Sequence, residues 1–340
     1  MRRKLLLLLG LTGVAGCSEA RTVLTVYSPH GREQLVLFEE RFEAGHPGVD
    51  VQWVDMGSQE ALDRIRSERA NPQGDVWYGG PALFFSRAAS EGLLAPYRPR
   101  WADSVIPEAR GQDDLFYGVY LTPAVIVYNS EAVSIDEVPR DWDDILDSRW
   151  EGQVLIRDPL ASGTMRTIFG MIMYRGLETT GDTGTGYAWL SRLDAQTKEY
   201  VLNPAILYQK LARQEGLVTL WNLPDVLRVR DQGYPLDYVL PISGTPVLVD
   251  GIAVIKGTEN PELARAFVDY VGSIEGQLVA ARLAFRNLTR TDIPIDSLPD
   301  WLIEVNAELK PMDLDWALLR DRGREWMRYW DAHIRGSGRR

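Results

Sequence analysis

Short apolar strands alternate with amphipathic helices from residue 22 onward, and this alternation limits the chain to few folds. Residues 23–27 are typical of a buried strand, and the segment after them repeats large apolar side chains at helical spacing. Residues 49–53 and 75–78 are typical of two more strands, with Ser58 suited to cap the helix between them and Pro81 suited to the first turn of the next helix. This order predicts an open, mostly parallel sheet with helices on both faces.

A second region of the same kind follows, and the two regions together predict an α/β fold with two lobes. Residues 125–128, 153–156 and 217–221 are typical of its strands. Residues 247–255 form a long apolar run that we expect to return toward the first region, so that the chain crosses between the lobes twice. Each lobe is therefore predicted to hold a mostly parallel sheet flanked by helices.

These crossings define the predicted domains. Lobe one is expected to comprise residues 22–122 and 250–300, and lobe two is expected to comprise residues 123–249. Residues 301–340, in which tryptophans are spaced among charges, are expected to form a helical C-terminal extension that packs on the body. The arginine-rich tail at 335–340 is expected to be solvated.

The N-terminus is typical of an export signal. Three basic residues at 2–4 precede a short run of leucines, and residues 14–17, Val-Ala-Gly-Cys, close the segment with small residues before a cysteine. The run is shorter than the roughly 20 apolar residues that a membrane-spanning helix needs. The segment resembles a bacterial lipoprotein signal, which implies removal of residues 1–16 and a lipid on Cys17. The alternative is an ordinary secretory signal cleaved after Ala20.

The composition argues against several functional classes. The formal net charge of −11 suits neither nucleic acid nor an anionic lipid surface. Cys17 is the only cysteine, which excludes an internal disulfide and a cysteine nucleophile, and only three histidines are present for a metal site. The chain has no glycine-rich phosphate loop, G-x-S-x-G elbow or H-E-x-x-H motif. We therefore expect a binding protein, without cofactor or resident metal, rather than an enzyme.

Small and polar residues follow four of the predicted strands, where ligands bind in open α/β sheets. Helix N-termini beyond the carboxyl ends of the strands offer free N–H groups and a positive dipole end. Glycine lets a backbone approach a ligand, while serine or threonine donates to an oxygen or caps the helix. Plain capping and turn formation are the alternative at each junction. The candidate ligand contacts, including aromatic residues beside the junctions, are Ser28, His30, Gly80, Tyr120, Ser162, Gly163, Thr164, Trp221 and Asn222.

Several short motifs occur in an order that is more specific than any one of them. They are Thr-Val-Tyr-Ser-Pro-His at 25–30, Asp-Val-Trp-Tyr-Gly-Gly-Pro at 75–81, Gly-Leu-Leu-Ala-Pro-Tyr at 92–97, Val-Tyr-Asn at 127–129, Trp-Asp-Asp-Ile-Leu at 142–146, Asp-Pro at 158–159 with Ser-Gly-Thr at 162–164, and Asp-Gly-Ile-Ala at 250–253. From about residue 22 to 285 the chain resembles the type 2 solute-binding proteins of ABC importers, closest to the ferric-iron, phosphonate and sugar-phosphate branch. The resemblance implies a two-lobed periplasmic-binding-protein fold, hinge closure around a small ligand and delivery to an ABC permease.

One motif departs from the ferric-iron members of this branch. Those proteins carry adjacent tyrosines on the loop after the strand that corresponds to residues 217–221, whereas residues 222–225 here are Asn-Leu-Pro-Asp. Ferric ion requires hard anionic oxygen ligands, so the loss of both phenolates favours an organic ligand, a phosphonate or phosphate ester. Asp225 is a further candidate contact, either pairing with an ammonium group of a zwitterionic ligand or capping the helix.

The resemblance and the export signal together predict an extracytoplasmic, monomeric solute-binding protein anchored by lipid in the periplasm or at the cell surface. Its predicted partners are a small polar ligand, an ABC permease and the membrane, through the lipid on Cys17. Three alternatives remain open: a ferric-iron transport protein, a lipoprotein receptor that reports ligand to a sensor kinase, and an exported hydrolase using Ser162.

Overall fold

The fold, a computed structural model that describes residues 21–337, is built on a mixed sheet flanked by helices. The strands are β1 (Thr22–Ser28), β2 (Val49–Asp55), β3 (Val76–Pro81), β4 (Leu94–Ala95), β5 (Tyr117–Asn129), β6 (Val154–Arg157), β7 (Thr197–Val201), β8 (Val218–Asn222), β9 (Leu236–Val239), β10 (Val247–Ile255) and β11 (Asn287–Leu288). The helices are α1 (Arg32–Gly45), α2 (Ser58–Ser67), α3 (Ala82–Ser90), α4 (Gly163–Thr180), α5 (Gly184–Gln196), α6 (Pro204–Ala212), α7 (Leu223–Asp231), α8 (Pro261–Val271), α9 (Ile274–Leu283), α10 (Asp300–Glu308) and α11 (Trp316–His333). Within residues 21–337 no helix is both long and apolar enough to cross a bilayer. The predicted signal segment and Cys17 lie outside the described residues.

Two long strands join the halves of the sheet. The strand order is β2-β1-β3-β10-β5-β8-β6-β7, with β4, β9 and β11 paired beside this path. β1 pairs in parallel with β2 and β3, and β6 pairs in parallel with β7 and β8. β5 and β10 run antiparallel to their neighbours, and β5 pairs with β10 along its first half and with β8 and β9 along its second. The predicted α/β class is confirmed, and the antiparallel pairs arise where the two crossing strands connect the halves.

Separate apolar cores lie in the two halves. We define lobe one by β1 to β4 and β10, and lobe two by β6 to β9, with β5 common to both. In lobe one the rings of Phe42 and Phe267 lie 5.1 Å apart, and in lobe two Phe169 lies 5.3 Å from Trp330 of α11. Trp326 and Trp330 are both buried in the core of lobe two, and α11 also contacts α3 of lobe one. The domain boundaries drawn at residues 122 and 249 stay a prediction.

Two helices begin differently from the prediction. Ser58 does not cap α2, because Gly57 occupies the capping position without a side-chain bond and Ser58 is the first helical residue. Pro81 ends β3 and precedes α3, and its ψ angle of 138° is extended rather than helical. The prediction that Pro81 lies in the first turn of the helix is therefore wrong by one position.

The start of the C-terminal tail is bound to lobe two. The Arg335 guanidinium donates to the carboxylate of Asp158, and at 3.1 Å to that of Asp331. The Gly336 N–H donates to Asp194 at 2.9 Å. The prediction of a solvated tail is therefore wrong for residues 335–336. The sequence of the tail does not show which carboxylates it contacts in the folded protein.

Candidate functional site

The turns after β1, β3, β6 and β8 meet at one cavity between the two lobes. Its volume is about 120 Å³, and it adjoins a wider cleft of about 510 Å³ with which it shares lining residues. Parallel strands place their carboxyl ends at one edge of a sheet, so turns far apart in sequence converge there. The structure brings most of the candidate contacts into the wall of this cavity: His30, Gly80, Ser162, Gly163, Thr164, Trp221, Asn222 and Asp225.

Two candidate contacts lie outside the cavity wall. Ser28 is fully buried, and its hydroxyl oxygen accepts the N–H of His30 at 3.2 Å, which stabilises the turn after β1. Tyr120 is also fully buried, with its hydroxyl 2.7 Å from that of Tyr78. The Arg286 guanidinium lies 5.9 Å from the centre of the Tyr120 ring. Tyr120 therefore contacts Arg286, which lines the cavity, without lining the cavity itself.

Two helix N-termini face each other across the cavity. In lobe two the Ser162 hydroxyl accepts the N–H of Met165 at 3.2 Å, while the N–H groups of Gly163 and Thr164 have no acceptor within the helix. In lobe one α2 begins after Gly57 without a side-chain cap. A β-carbon added to Gly57 would lie 2.7 Å from the carbonyl oxygen of Ala161, so the two turns are in contact. The positive ends of both helix dipoles therefore favour an anion in this cavity.

Arg157 adds a buried cation that the sequence analysis missed. It is the last residue of β6, lines the cavity, and is 9% exposed. Its guanidinium donates to the carbonyl of Val201 at 3.2 Å and forms no ion pair within residues 21–337. Burial lowers the pKa of Arg157, against the opposing effect of Asp158 and Tyr208. A buried guanidinium without a carboxylate partner is costly unless a ligand compensates its charge.

Arg286 is a second cation that the sequence did not reveal, and it determines which ring nitrogen of His30 carries the proton. Its guanidinium donates to Gln34 at 2.8 Å and to Nδ1 of His30 at 3.0 Å, and lies 3.8 Å from the carboxylate of Asp250. Because Nδ1 accepts, Nε2 of the neutral ring carries the proton, and this atom is buried without a partner among the described residues. Burial, and then Arg286, hold the pKa of His30 well below its usual value. His30 is therefore a neutral donor in the cavity wall.

Asp225 is a partly buried, ionised carboxylate rather than a helix cap. Its Oδ2 accepts from the Tyr208 hydroxyl at 2.8 Å and from the side chains of Trp221 and Asn222, each at 3.0 Å. Asn222 caps α7 by accepting the N–H of Asp225, so the capping alternative for Asp225 is wrong. Burial opposes its ionisation, but Arg228, Arg286 and these hydrogen bonds outweigh burial and lower the pKa of Asp225.

Asp250 is a second acid in the same wall, and the sequence analysis also missed it. Its Oδ2 accepts from the Thr122 hydroxyl at 2.8 Å. Burial raises the pKa of Asp250, against the opposing effects of Arg286 and Thr122. The cavity therefore combines two buried arginines and two helix N-termini with one buried and one partly buried carboxylate.

Ser162 and Tyr208, which two of the alternatives could use, form hydrogen bonds within the protein. The Ser162 hydroxyl is used in capping, and His30 Nε2 has no hydrogen-bond partner in residues 21–337, so the two are not joined as a nucleophile and base. Within the same range no three His, Cys, Asp or Glu side chains are placed to hold a metal ion. Tyr208 lines the adjoining cleft, but burial, and then Asp225, raise its pKa well above the usual value. Its hydroxyl donates to Asp225 at 2.8 Å, so without a ligand it is a neutral phenol.

Comparison with known proteins places this geometry among solute-binding proteins. A family model described as bacterial extracellular solute-binding protein matches residues 76–304. A putative 2-aminoethylphosphonate-binding periplasmic protein of Salmonella typhimurium is 31% identical over 305 residues, which are 86% of this chain and 87% of that protein. The probable ABC transporter periplasmic-binding protein y4fP of Sinorhizobium fredii is 28% identical, over 92% of this chain and 86% of that protein. The structure of the periplasmic binding protein AfuA from Actinobacillus pleuropneumoniae, with exogenous fructose-6-phosphate bound, superimposes with a TM-score of 0.81 at 27% identity, covering 93% of this chain and 99% of AfuA.

Proposed function

Because the chain belongs to the bacterial extracellular solute-binding protein family, we propose that its cavity captures a small phosphonate or phosphate ester, with an aminophosphonate as the first ligand to test. Membership implies an extracytoplasmic location, binding of a small solute and delivery to an ABC permease. The finer proposal, the ligand class, rests on the charges that line the cavity.

The observation that carries the proposal is Arg157, a buried guanidinium without an ion pair in residues 21–337, in the same cavity as the N-terminus of α4. Guanidinium groups bind phosphate-like oxyanions through two parallel hydrogen bonds. The free N–H groups of Gly163 and Thr164 supply further donors to the same oxyanion. His30 Nε2 is a neutral donor that also lacks a partner among the described residues. These donors suit a phosphonate or phosphate group.

The two acids in the wall favour a ligand that also carries a positive charge. Asp225 is ionised, and the only cation within 4 Å of it in residues 21–337 is Arg228, at 3.9 Å. Asp250 accepts from one hydroxyl and lies 3.8 Å from the Arg286 guanidinium. An ammonium group between these carboxylates would lower their combined charge in a site of low dielectric constant. A zwitterion such as 2-aminoethylphosphonate, which the Salmonella relative is named for, carries both groups.

Hinge closure is the proposed binding mechanism, and the contacts between the lobes fit a closed form. The Arg166 guanidinium of α4 donates to Gln59 of α2 at 2.6 Å, and Arg228 of α7 lies 3.6 Å from Glu33 of α1. Each pair joins one lobe to the other. A ligand that binds both lobes shifts the equilibrium toward the closed form. The size of the shift equals the difference between the ligand's binding free energies for the closed and open forms.

The ligand class is tested by calorimetric titration of the purified protein. The panel is 2-aminoethylphosphonate, propylphosphonate, glucose 6-phosphate, fructose 6-phosphate, phosphate, and ferric iron with and without citrate. We expect one phosphonate or phosphate ester to bind most tightly. Binding of ferric iron alone would support the iron-transport alternative, and binding of none would contradict the proposal.

Matched variants test the roles of the charges. Removing one member of a buried charge contact costs about 2–5 kcal/mol, so Arg157→Met should weaken oxyanion binding by on the order of 30-fold or more. Arg149→Met is the control, because Arg149 is half exposed and pairs with Asp147 on the surface. Asp225→Asn and Asp250→Asn should weaken 2-aminoethylphosphonate far more than propylphosphonate, which lacks the ammonium. Equal losses for both ligands would contradict an ammonium contact.

A lipid on Cys17 is the proposed anchor, and it rests on the signal sequence alone. We expect the protein to partition into the detergent phase of a Triton X-114 extract and Cys17→Ser to move it to the aqueous phase. A wild-type protein found in the aqueous phase would contradict the anchor without affecting the proposed ligand.

A further inference from the structure

Four arginines line a small crevice between the lobes, away from the binding cavity. Arg87 of α3, Arg166 of α4, and Arg320 and Arg324 of α11 surround a volume of about 30 Å³. We name this feature the arginine crevice. None of its lining residues lines the binding cavity. Such a concentration of positive charge is unexpected on a chain whose net charge is −11.

Two of the four arginines are compensated by nearby carboxylates. Arg320 is held by Asp321 at 2.7 Å. Arg87 lies 3.5 Å from Glu91, which is shared with Arg66 at 2.6 Å. These pairs lie on α2, α3 and α11, and α3 contacts both of the other helices.

The other two arginines lack a carboxylate partner among the described residues. Arg166 donates to the carbonyls of Pro159 at 3.1 Å and Leu160 at 2.5 Å, and to Gln59, all of them neutral groups. Burial lowers the pKa of Arg166, and Arg324 and Arg87 add to this against Asp63. Arg324 is exposed, and its partial burial and then Arg87, Arg66 and Arg328 lower its pKa against the opposing effect of Asp63. Positive charge therefore exceeds the nearby negative charge where the two lobes meet, with Asp63 as the carboxylate that opposes both arginines.

We propose that the arginine crevice binds a small tetrahedral oxyanion, of the inorganic phosphate or sulfate class, which bridges lobe one and lobe two. Guanidinium groups bind such anions with paired, charge-assisted hydrogen bonds. The accessible volume is about a quarter of that of the main cavity, which favours a small ion over an organic phosphate ester. The ion offsets the repulsion that Arg87 of one lobe and Arg166 and Arg324 of the other create as the lobes approach.

Arg166 connects this site to the binding cavity. Its guanidinium holds the carbonyls of residues 159 and 160, and the next residues, 161–164, line the cavity and form the N-terminus of α4. An anion in the crevice therefore favours the closed form in which solute is bound. Because such coupling is reciprocal, solute should also tighten the binding of the anion. This coupling rests on the proposed function, whereas the anion site itself does not.

The test is equilibrium dialysis of the full-length protein against radiolabelled sulfate and, separately, phosphate at constant ionic strength. Arg157→Met is the background, because it removes the oxyanion contact proposed for the main cavity. In this background we expect one anion to remain bound per chain. Arg324→Gln and Arg87→Gln added to it should weaken that binding at least tenfold, whereas Arg322→Gln, an exposed residue of α11 paired with Glu325, should not.

Each outcome decides a different point. Loss of all anion binding in Arg157→Met alone would overturn the crevice and leave the main cavity as the anion site. Anion binding that survives Arg324→Gln and Arg87→Gln would also overturn it. Melting temperatures of the variants without anion show whether each one is folded, so a loss of binding in a folded variant supports the crevice. Failure of every organic ligand to bind would count against the proposed function and not against the crevice.

Discussion

The buried ring of His30 makes the stability of the fold depend on pH, and His30→Asn should remove that dependence. The pKa of His30 in the folded state lies well below the usual 6.5 because of burial and then Arg286. Below pH 6.5 the unfolded chain therefore binds a proton that the folded chain does not. The stability that His30 contributes is complete above pH 6.5 and is lost as the pH falls through the window below it.

The size of the loss follows from proton linkage. One such histidine costs at most about 0.8 kcal/mol at pH 6 and at most about 2 kcal/mol at pH 5, with a limiting slope of about 1.4 kcal/mol per pH unit. The variant His30→Asn keeps an acceptor near Nδ1 for Arg286 but does not titrate in this range.

The assay is urea unfolding of both proteins at pH 7.5, 6 and 5. We expect the free energy of unfolding of wild type to fall more than that of His30→Asn, by up to about 2 kcal/mol between the two ends of the series. His333→Gln, which changes an exposed histidine of α11, controls for the loss of any histidine and should follow wild type. Parallel profiles for wild type and His30→Asn would refute the argument that the buried ring stays neutral.

Three further predictions concern closure, packing and acid stability. Gly57→Val would place a β-carbon 2.7 Å from a carbonyl oxygen across the cleft. We therefore expect solute affinity, measured by calorimetry, to fall at least about tenfold while the melting temperature without solute is unchanged. Gly48→Val is the control, because a β-carbon at Gly48 would have nothing within 4 Å. Trp330→Ala should lower the free energy of unfolding by about 3–5 kcal/mol in urea, because this ring is fully buried, and the 37%-exposed Trp316→Ala should lower it far less. The pKa of Asp225 is lowered in the folded state, so its ionised carboxylate stabilises the fold above its usual pKa of 3.8, and this stabilisation is lost as the pH falls below that value. Asp225→Asn should therefore give a shallower acid unfolding curve. A curve identical to that of wild type would contradict the lowered pKa.

Elements of the fold were predictable where the local pattern was strong. The apolar run at 247–255 is β10 to the residue, and the helix after β1 buries Leu35, Phe38 and Phe42 as its spacing predicted. Both rest on hydrophobic periodicity, which acts over a few neighbours. The boundary at Ser58 was missed because a serine can precede a helix or begin it, and the backbone rather than the residue type decides.

The junctions of the site were predictable, but its charges were not. Glycine and serine after a strand indicate a binding cavity, because ligands in open α/β sheets bind beyond the carboxyl ends of the parallel strands. No comparable sequence pattern identifies Arg157 and Arg286. Arginine is exposed in most folded proteins, and whether it is buried depends on residues that are distant in sequence. Arg286 meets Gln34 and His30, which are more than 200 residues away in sequence, as the separations of 252 and 256 show. Only the folded chain brings them together.

The strand β5 also bears on how this chain reaches its native state. Its first half pairs with β10 and its second half with β8 and β9, so neither half of the strand has its main partners until residues 218–255 have been synthesised. Such long-range pairing gives a high contact order, and folding that depends on it is slow. A nascent chain that ends before β8 therefore cannot complete either lobe. Both lobes can therefore reach their native pairing only after most of the chain has been made.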